Sequence, residues 1–429
     1  MTLRERGVTL GQWVVLGSLV GVLAGLASAL FLWLLDLATS ARESDERIVY
    51  LLPIAGLVIG SFYERFGQPV RAGANRVLAA IHDGGSPIPL RMAPMVLLGT
   101  VLTHLFGGSA GREGTAVQMG ASLADGVAQR ARVTPTMREQ LIIAGVAGGF
   151  GSVFGTPLAG AVFGMEFVVL GRLRVRAVVP ALVASFVGDV TTHACGIRHT
   201  PYPVVAALPL TPLLVGKWLL FAAAVALTTV VFVELLHFLK KQGEQRVKPL
   251  AARMFVGGVA VVLLWQVVGT SDYLGLGVPT ILRAFDDPSL GVYVFALKLL
   301  FTAVTLSAGF LGGEVTPLFF VGAALGSVLA RFLGIPIELG AGVGLAAVFA
   351  AASNAPMALS IMAVELLGVG VFPHVVIVCV VAYLLTGHRG IYSAQRVARG
   401  KWGQRFDPAL TLRDVASAGT TSEPSARTS

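Results

Sequence analysis

The sequence predicts an all-α polytopic membrane protein with two structurally repeated halves that contain broken and re-entrant helices. Three observations support this prediction. The 429 residues are 55% hydrophobic and 13% charged, whereas soluble chains carry roughly 25% charged residues. Apolar runs about 20 residues long, the length of a membrane-spanning helix, recur along the chain. Glycine-rich motifs also recur in the same order in both halves.

Five apolar runs are the clearest candidates for spanning helices. They cover 11–35, 213–236, 254–268, 292–306 and 371–385. The first run is too long for a signal peptide and lacks a small-residue cleavage site, so we interpret it as a helix. Glycines interrupt other apolar segments, which are therefore expected to be tilted or re-entrant.

The net charge of +9 comes from basic residues that lie between the apolar runs. Lys and Arg are enriched in cytoplasmic loops of membrane proteins, so the charge needs no nucleic-acid partner. We expect a multi-pass protein of a cell inner membrane or plasma membrane, in contact with lipid, with cytoplasmic termini. The basic clusters are Arg130, Arg132 and Arg138; Arg172, Arg174 and Arg176; Lys240, Lys241, Arg246 and Lys248; and Arg396, Arg399 and Lys401.

Cysteine usage and the C-terminal segment indicate little further chemistry. The two cysteines suggest no disulfide framework. His193, Cys195 and His199 lie close together in an apparent loop, but their spacing fits no common zinc pattern, so we predict no metal site. No cofactor is implied. The segment 411–429 is rich in Ser, Thr, Ala and Gly and is predicted to be a disordered tail.

The two halves of the chain repeat at a nearly constant offset. We take 11–239 and 250–396 as the two repeats of one transmembrane domain that covers 1–400. In membrane proteins such repeats usually place an ion or substrate site at their interface, built by broken helices. The matches at an offset of 202 are 73–75 with 275–277 and 111–120 with 313–322, and those at 199 are Pro157 with Pro356 and Glu166 with Glu365.

A glutamate framed by glycines appears in each half. Glu113 lies in Gly-Gly-Ser-Ala-Gly-Arg-Glu-Gly-Thr, and Glu314 lies in Gly-Phe-Leu-Gly-Gly-Glu-Val-Thr-Pro. A carboxylate at membrane depth costs several kcal/mol unless it faces a cavity or a partner. Helix N-termini that open after Gly73, Gly111 and Gly313 would provide N–H groups for an anion without a full positive charge.

These patterns leave two interpretations of the glutamates open. Glu113 would fill the anion site when it is ionised, and would swing away and carry a proton when it is protonated. Alternatively, each glutamate only caps the start of a helix. Glu166 and Glu365 are expected to make structural hydrogen bonds or salt bridges.

The sequence Gly111-Arg112-Glu113-Gly114 resembles the gating-glutamate signature of the CLC family of chloride channels and transporters. The stretch 157–160 and Glu365 also match that family, and the resemblance covers about 11–396. It implies a homodimer with one ion pathway in each subunit.

At several positions this chain departs from the usual CLC motifs, and the residues found there resemble those of one branch, the CLC-F fluoride/proton antiporters. Chloride-handling members carry Gly-Ser-Gly-Ile-Pro ahead of the gate, whereas this chain has Gly-Ala-Asn-Arg-Val at 73–77 and lacks the chloride-coordinating serine. The usual Gly-x-Phe-x-Pro motif is replaced by Gly-Glu-Val-Thr-Pro at 313–317. Phe167 occupies the position of the internal acidic residue in chloride/proton exchangers, so the resemblance moves the proton role to Glu314.

The resemblance implies a protein that exports fluoride in exchange for protons. Glu113 and Glu314 would be the exchangeable carboxylates. The alternative is a protein that transports chloride, either as a chloride/proton exchanger or as a passive chloride channel. An intramembrane enzyme is not supported, since no His-Glu-x-x-His metal motif is present. The residues implied to contact the anion are Ala74, Asn75, Gly111, Arg112, Gly114, Val315, Thr316 and Tyr392, although Tyr392 could instead be an interfacial aromatic anchor.

Overall fold

The computed structural model describes residues 3–68, 70–83 and 86–418, and α-helices dominate them. The only strands in these ranges, β1 (Val169–Leu170) and β2 (Arg396–Val397), form one short parallel pair. The α-helices are α1 (Leu3–Ser44), α2 (Leu52–Phe66), α3 (Ala74–Asp83), α4 (Met92–Leu105), α5 (Glu113–Arg130), α6 (Pro135–Phe154), α7 (Pro157–Glu166), α8 (Val178–Ala194), α9 (Pro212–Arg246), α10 (Leu250–Val268), α11 (Val278–Arg283), α12 (Val294–Ala308), α13 (Val315–Leu333), α14 (Ile337–Ser353), α15 (Pro356–Leu367), α16 (Phe372–Leu385) and α17 (Leu412–Ala418).

The helix lengths confirm the prediction of an all-α polytopic membrane protein. Six helical segments in the described ranges are long and apolar enough to cross a membrane. The runs predicted at 292–306 and 371–385 correspond to shorter apolar helices, which fall below the roughly 20 residues of a straight span. The six long segments are Thr9–Ser44, Glu46–Phe66, Val175–Ala194, Pro212–Arg246, Leu250–Val268 and Val315–Leu333.

The packing of α5 on α6 is repeated by α13 on α14. A Cβ atom on Gly120 would lie 2.1 Å from the carbonyl oxygen of Gly145, so the two helix backbones touch. In the second half, a Cβ atom on Gly322 would lie 2.1 Å from the carbonyl oxygen of Gly344. Small residues allow helices to approach this closely within a membrane. These glycines stand at the same two offsets that relate the sequence motifs, so the repeat extends to the contact between helices.

The ends of α7 and α15 are joined by reciprocal hydrogen bonds. Glu166 accepts hydrogen bonds of 3.1 and 2.8 Å from two backbone N–H groups in the first turn of α15. Glu365 accepts hydrogen bonds of 2.9 and 2.8 Å from two backbone N–H groups in the first turn of α7. The predicted structural hydrogen bonds of these two glutamates are confirmed. Each carboxylate satisfies N–H groups that a helix start leaves unpaired.

The predicted disordered tail is wrong over 411–418. The N–H of Leu412 donates to the carbonyl oxygen of Gln395 at 2.9 Å, and the Leu412 side chain is buried. The helix α17 follows directly. Composition alone missed this segment because one buried leucine and a few backbone hydrogen bonds hold it. Residues 419–429 lie outside the described residues, and the predicted repeat limits 11–239 and 250–396 stay a prediction.

Candidate functional site

The helices α5 and α13 begin at the same place in the molecule. The N–H of Gly111 donates to the carbonyl oxygen of Gly313 at 2.6 Å, and the N–H of Gly313 donates back to Gly111 at 2.8 Å. The two segments run antiparallel where they form this bridge. A Cβ atom on Gly114 would lie 3.1 Å from the Cα atom of Gly313. Glycine at these positions therefore lets the two helix starts touch, and the broken helices predicted from the sequence meet at one site.

The Glu113 carboxylate is buried among hydrogen-bond donors at this meeting point. Glu113 is the first residue of α5 and is 0% exposed. Its Oε1 atom accepts a 2.5 Å hydrogen bond from the Thr316 hydroxyl. Its Oε2 atom accepts hydrogen bonds of 3.1 Å from the backbone N–H groups of Thr316 and Arg112. We call this set of three donors the Glu113 pocket.

Arg112 adds a full positive charge beside the Glu113 pocket. Its guanidinium Nε lies 3.4 Å from Glu113 Oε1, and its side chain is 18% exposed. The N–H groups of the helix starts therefore do not act alone, and Arg112, which is one of the residues expected to contact the anion, lies beside the carboxylate. Arg112 Nε makes no hydrogen bond within the described residues. The side chain therefore acts on the carboxylate through charge.

Glu314 stands at the start of α13 but makes few contacts. It is the N-cap residue of that helix and is half-buried, while the following Val315 is buried. Among the described residues, its carboxylate bonds only to its own backbone N–H and interacts over a longer range with Lys240. Lys240 belongs to one of the basic clusters. Glu314 therefore lies on the side of the site that faces this cluster.

Tyr392 is buried close enough to both carboxylates to interact with each of them. It is 7% exposed and packs edge-on against Phe167 with ring centroids 5.8 Å apart. Both Glu113 and Glu314 interact electrostatically with its phenol group. A side chain this buried is not an interfacial anchor. The two glutamates make no direct contact within the described residues, and Tyr392 interacts with both.

Ala74 and Asn75 are placed near Tyr392 and not in the Glu113 pocket. They open α3, and both are half-buried. The Oδ1 atom of Asn75 accepts a 3.0 Å hydrogen bond from the N–H of Ala394. Asn75 therefore fixes the segment that carries Tyr392, and its carboxamide oxygen is already used.

Phe167 occupies the position that the family resemblance assigns to the internal acidic residue of chloride/proton exchangers. It is buried, and it stacks on Phe163 with ring centroids 5.1 Å apart. The neighbouring Glu166 uses its carboxylate on the first turn of α15. Residue 167 therefore gives this side of the site an aromatic surface, and the carboxylate of residue 166 is already hydrogen-bonded to α15.

Sequence reasoning missed Gln118 as a candidate member of the site. It lies on α5, is 9% exposed and makes no hydrogen bond to any described residue. A Cβ atom on Gly73, which has a φ angle of 56°, would lie 3.6 Å from its carboxamide. The close approach of Gly73 to Gln118 depends on the packing of α3 against α5, which spacing along the chain did not indicate.

The loop before Glu113 is held in place by hydroxyl groups. The hydroxyls of Ser109 and Thr302 lie 3.0 Å apart, and the N–H of Ser109 donates to the Thr305 hydroxyl at 3.1 Å. The stretch 107–111 has the Gly-x-Ser-x-Gly spacing of a nucleophile elbow, which sequence reasoning overlooked. Such an elbow follows a strand, whereas this loop follows the helix α4. Ser109 therefore anchors the loop to α12.

Comparisons with known proteins agree with this geometry. The profile of the family described as voltage gated chloride channel matches residues 55–387. A "Chloride/fluoride channel protein" from Pseudomonas syringae pv. tomato is 42% identical over 417 residues, which is 95% of this chain and 91% of that protein. A "H(+)/Cl(-) exchange transporter ClcA" from Vibrio vulnificus is 28% identical over 82% of this chain and 81% of that protein.

Solved structures show the same fold. The crystal structure of a CLC-type fluoride/proton antiporter superposes with a TM-score of 0.88 at 35% identity, covering 92% of this chain and 100% of that one. A slow cyanobacterial Cl⁻/H⁺ antiporter superposes with a TM-score of 0.76 at 18% identity, covering 87% and 94%. The family profile and the 42% identical relative decide the assignment, and the chain belongs to the CLC family of voltage-gated chloride channels and related transporters.

Proposed function

We propose that this protein is a fluoride/proton antiporter that exports cytoplasmic fluoride in exchange for protons. The Glu113 pocket is the observation that carries the proposal, because three donors and a guanidinium converge there on one negatively charged group. Fluoride is small and accepts strong hydrogen bonds, so a pocket rich in donors suits it. The names of the 42% identical relative and of the 35% identical structure point the same way.

In this proposal Glu113 competes with fluoride for the same donors. The ionised carboxylate occupies the pocket and blocks it. Protonation removes its charge, so the carboxyl group leaves, and the hydroxyl and N–H of Thr316 become available to an anion. A protonated carboxyl can also donate a hydrogen bond to fluoride. Exchange follows because the pocket holds either the anion or the ionised carboxylate.

Glu314 is proposed to pass protons between the cytoplasmic side and the pocket. Its carboxylate has no fixed partner in the described residues other than its own N–H, so it is free to change protonation or position. Tyr392 interacts electrostatically with both glutamates. Because residues 166 and 167 offer no spare acid, Glu314 is the carboxylate best placed for this role.

The anion path is proposed to use the remaining predicted residues in two groups. In the first group, Gly111 and Gly114 permit the contact of the two helix starts. Arg112, Val315 and Thr316 line the anion path beside this contact. Ala74 and Asn75 shape the second group around Tyr392, and Gln118 is added to it. The smaller set near Tyr392 is proposed as the inner part of the path.

Orientation and assembly follow the same proposal. The basic clusters between helices are proposed to face the cytoplasm, together with both termini, in a bacterial inner membrane or plasma membrane. The resemblance to the family supports a homodimer in which each subunit carries its own pathway. Lipid contacts the outer helices.

The test is ion flux from liposomes that contain the purified protein. Fluoride and chloride efflux are recorded with ion electrodes while the external pH is followed, and vesicles without protein provide the control. We expect fluoride efflux with a fixed ratio of proton uptake into the vesicles and little chloride efflux. Comparable coupled chloride efflux would replace the proposal with a chloride/proton exchanger, and chloride efflux without protons would replace it with a passive channel.

A further inference from the structure

Three metal-ligating side chains converge at the end of α8, outside the Glu113 pocket. Asp189, His193 and His199 each offer one ligand atom, and these atoms all lie within 4.8 Å of one another. We propose that they form a binding site for one divalent transition-metal ion, Zn²⁺ in the first instance. The sequence argument grouped Cys195 with the two histidines, whereas the structure replaces it with Asp189 and leaves the thiol exposed.

The helix itself brings two of the ligands together. Asp189 and His193 are four residues apart on α8, so both side chains project from one face. His193 Nδ1 lies 3.0 Å from the backbone carbonyl oxygen of Asp189 and 3.2 Å from its Oδ1 atom. With Nδ1 turned to the helix, Nε2 of His193 is the nitrogen left for a metal.

The third ligand is oriented by α6. His199 Nε2 lies 2.9 Å from the carbonyl oxygen of Ser152, and because a carbonyl only accepts, Nε2 carries the proton. The lone pair then resides on Nδ1. Histidine ligands of metals characteristically donate their other N–H to a carbonyl or carboxylate, which fixes the ring. The contact with Ser152 therefore prepares His199 to bind a metal through Nδ1.

One ligand atom lacks a partner among the described residues. His199 Nδ1 is buried and accepts no hydrogen bond there, whereas Asp189 Oδ1 has the 3.2 Å contact with His193 Nδ1. A buried acceptor without a partner costs free energy, which a bound cation would recover. A Cβ atom on Gly155 would lie 2.8 Å from His199 Nδ1, so the glycine keeps space beside this nitrogen. The convergence of the three side chains and the unmet bonding capacity of His199 Nδ1 therefore point to the same site.

The ligand set selects the class of metal. Two imidazoles and one carboxylate suit Zn²⁺, Cu²⁺ and Ni²⁺, whereas Mg²⁺ and Ca²⁺ prefer oxygen ligands throughout. Three protein ligands leave a fourth position for water. The site lies at the opposite end of α8 from the basic residues Arg172, Arg174 and Arg176. If that loop is cytoplasmic, as proposed above, the metal site faces the outside of the cell.

The test uses the full chain, purified without a polyhistidine tag and stripped with a chelator. Zn²⁺ is titrated by calorimetry, and Co²⁺ binding is followed by its visible absorption. We expect one saturable site per chain and a rise in unfolding temperature with Zn²⁺, because the ion binds the folded state. His199→Ala and Asp189→Asn should each weaken Zn²⁺ binding about 100-fold. Cys195→Ser is the matched control and should bind like the unmodified protein.

The outcomes separate the proposal from its rivals. Absence of saturable Zn²⁺ binding by the unmodified chain would overturn it, as would unchanged affinity in both His199→Ala and Asp189→Asn. Loss of binding in Cys195→Ser alone would assign the metal to a different trio. Asp189→Asn preserves the shape of the side chain, so it keeps the test valid if His199→Ala does not fold. None of these readouts depends on fluoride transport, so failure of one proposal is distinguishable from failure of the other.

Discussion

The starts of α5 and α13 are equivalent in sequence and opposite in chemistry. At the offset that relates the two repeats, Arg112 corresponds to Glu314, so the two N-cap positions carry opposite charges. Glu113, one position later in the first half, is fully buried and accepts three hydrogen bonds. Its counterpart in the second half is the apolar Val315. One repeat thus holds its carboxylate in a pocket, and the other leaves its carboxylate half-buried and nearly free.

Under the proposed function, this difference assigns two steps of one process to the two helix starts. Gly111 and Gly313, which join the helix starts by reciprocal hydrogen bonds, correspond to each other at the offset of 202, whereas Gly114 corresponds to Thr316. The residues beside this glycine pair differ, and they give one repeat the hydrogen-bonded Glu113 and the other the half-buried Glu314. The following predictions test whether these two carboxylates have separate roles.

Glu113→Gln should have the largest effect, because the uncharged amide neither competes as an anion nor carries a proton. We expect fluoride-driven proton movement to fall below detection in reconstituted liposomes. The Glu338→Gln variant is the control, since Glu338 is an exposed acid in the first turn of α14. Proton movement that survives in Glu113→Gln would remove Glu113 from the mechanism.

Glu314→Ala should reduce coupled exchange by about 100-fold, the contribution expected of a side chain that transfers protons. The reason is loss of a carboxylate that interacts electrostatically with both Tyr392 and Lys240. The initial rate of fluoride efflux and the accompanying pH change give the measurement. Full activity would mean that Glu314 serves only as the N-cap residue of α13.

Thr316→Val should shift selectivity without abolishing transport, because it removes the hydroxyl and keeps the shape and the backbone N–H. One lost hydrogen bond to a charged group corresponds to about 1.4 kcal/mol, or about a tenfold fall in the ratio of fluoride to chloride flux. Efflux of each anion from matched vesicles measures the ratio. An unchanged ratio would exclude the Thr316 hydroxyl from the anion path.

Lys240→Gln should have the smallest effect. The exposed ammonium group acts on Glu314 over a distance, so we expect a two- to threefold lower rate at low ionic strength and about the same rate at high salt. Lys241→Gln is the matched control, because it removes an adjacent exposed charge from the same cluster. Equal effects of the two substitutions would mean that only the net charge of the cluster matters.

The sequence predicted those parts of the site that depend on order and spacing along the chain. The all-α fold, the repeat and the glycine-framed glutamates follow from hydropathy and from motifs at constant offset. Gln118, the salt bridge between Arg112 and Glu113 and the bond from Ala394 to Asn75 were not predicted, although Arg112 itself was named as an anion-contact residue. Each depends on how segments distant in the chain approach one another, and no local pattern encodes that approach. Asp189 was missed for a related reason, since it lies inside α8 whereas its partner His199 lies in the following loop.

The most direct test of the central claim is uphill proton pumping driven by a fluoride gradient, with equal pH inside and outside at the start. The unmodified protein, Glu113→Gln and Glu314→Gln are compared in matched liposomes, with a chloride gradient as the reference. We predict that the unmodified protein moves protons against the developing pH gradient with fluoride and not with chloride, and that neither variant does so. Pumping that persists in Glu314→Gln, or fluoride flux without any proton movement in the unmodified protein, would contradict the division of roles between the two glutamates.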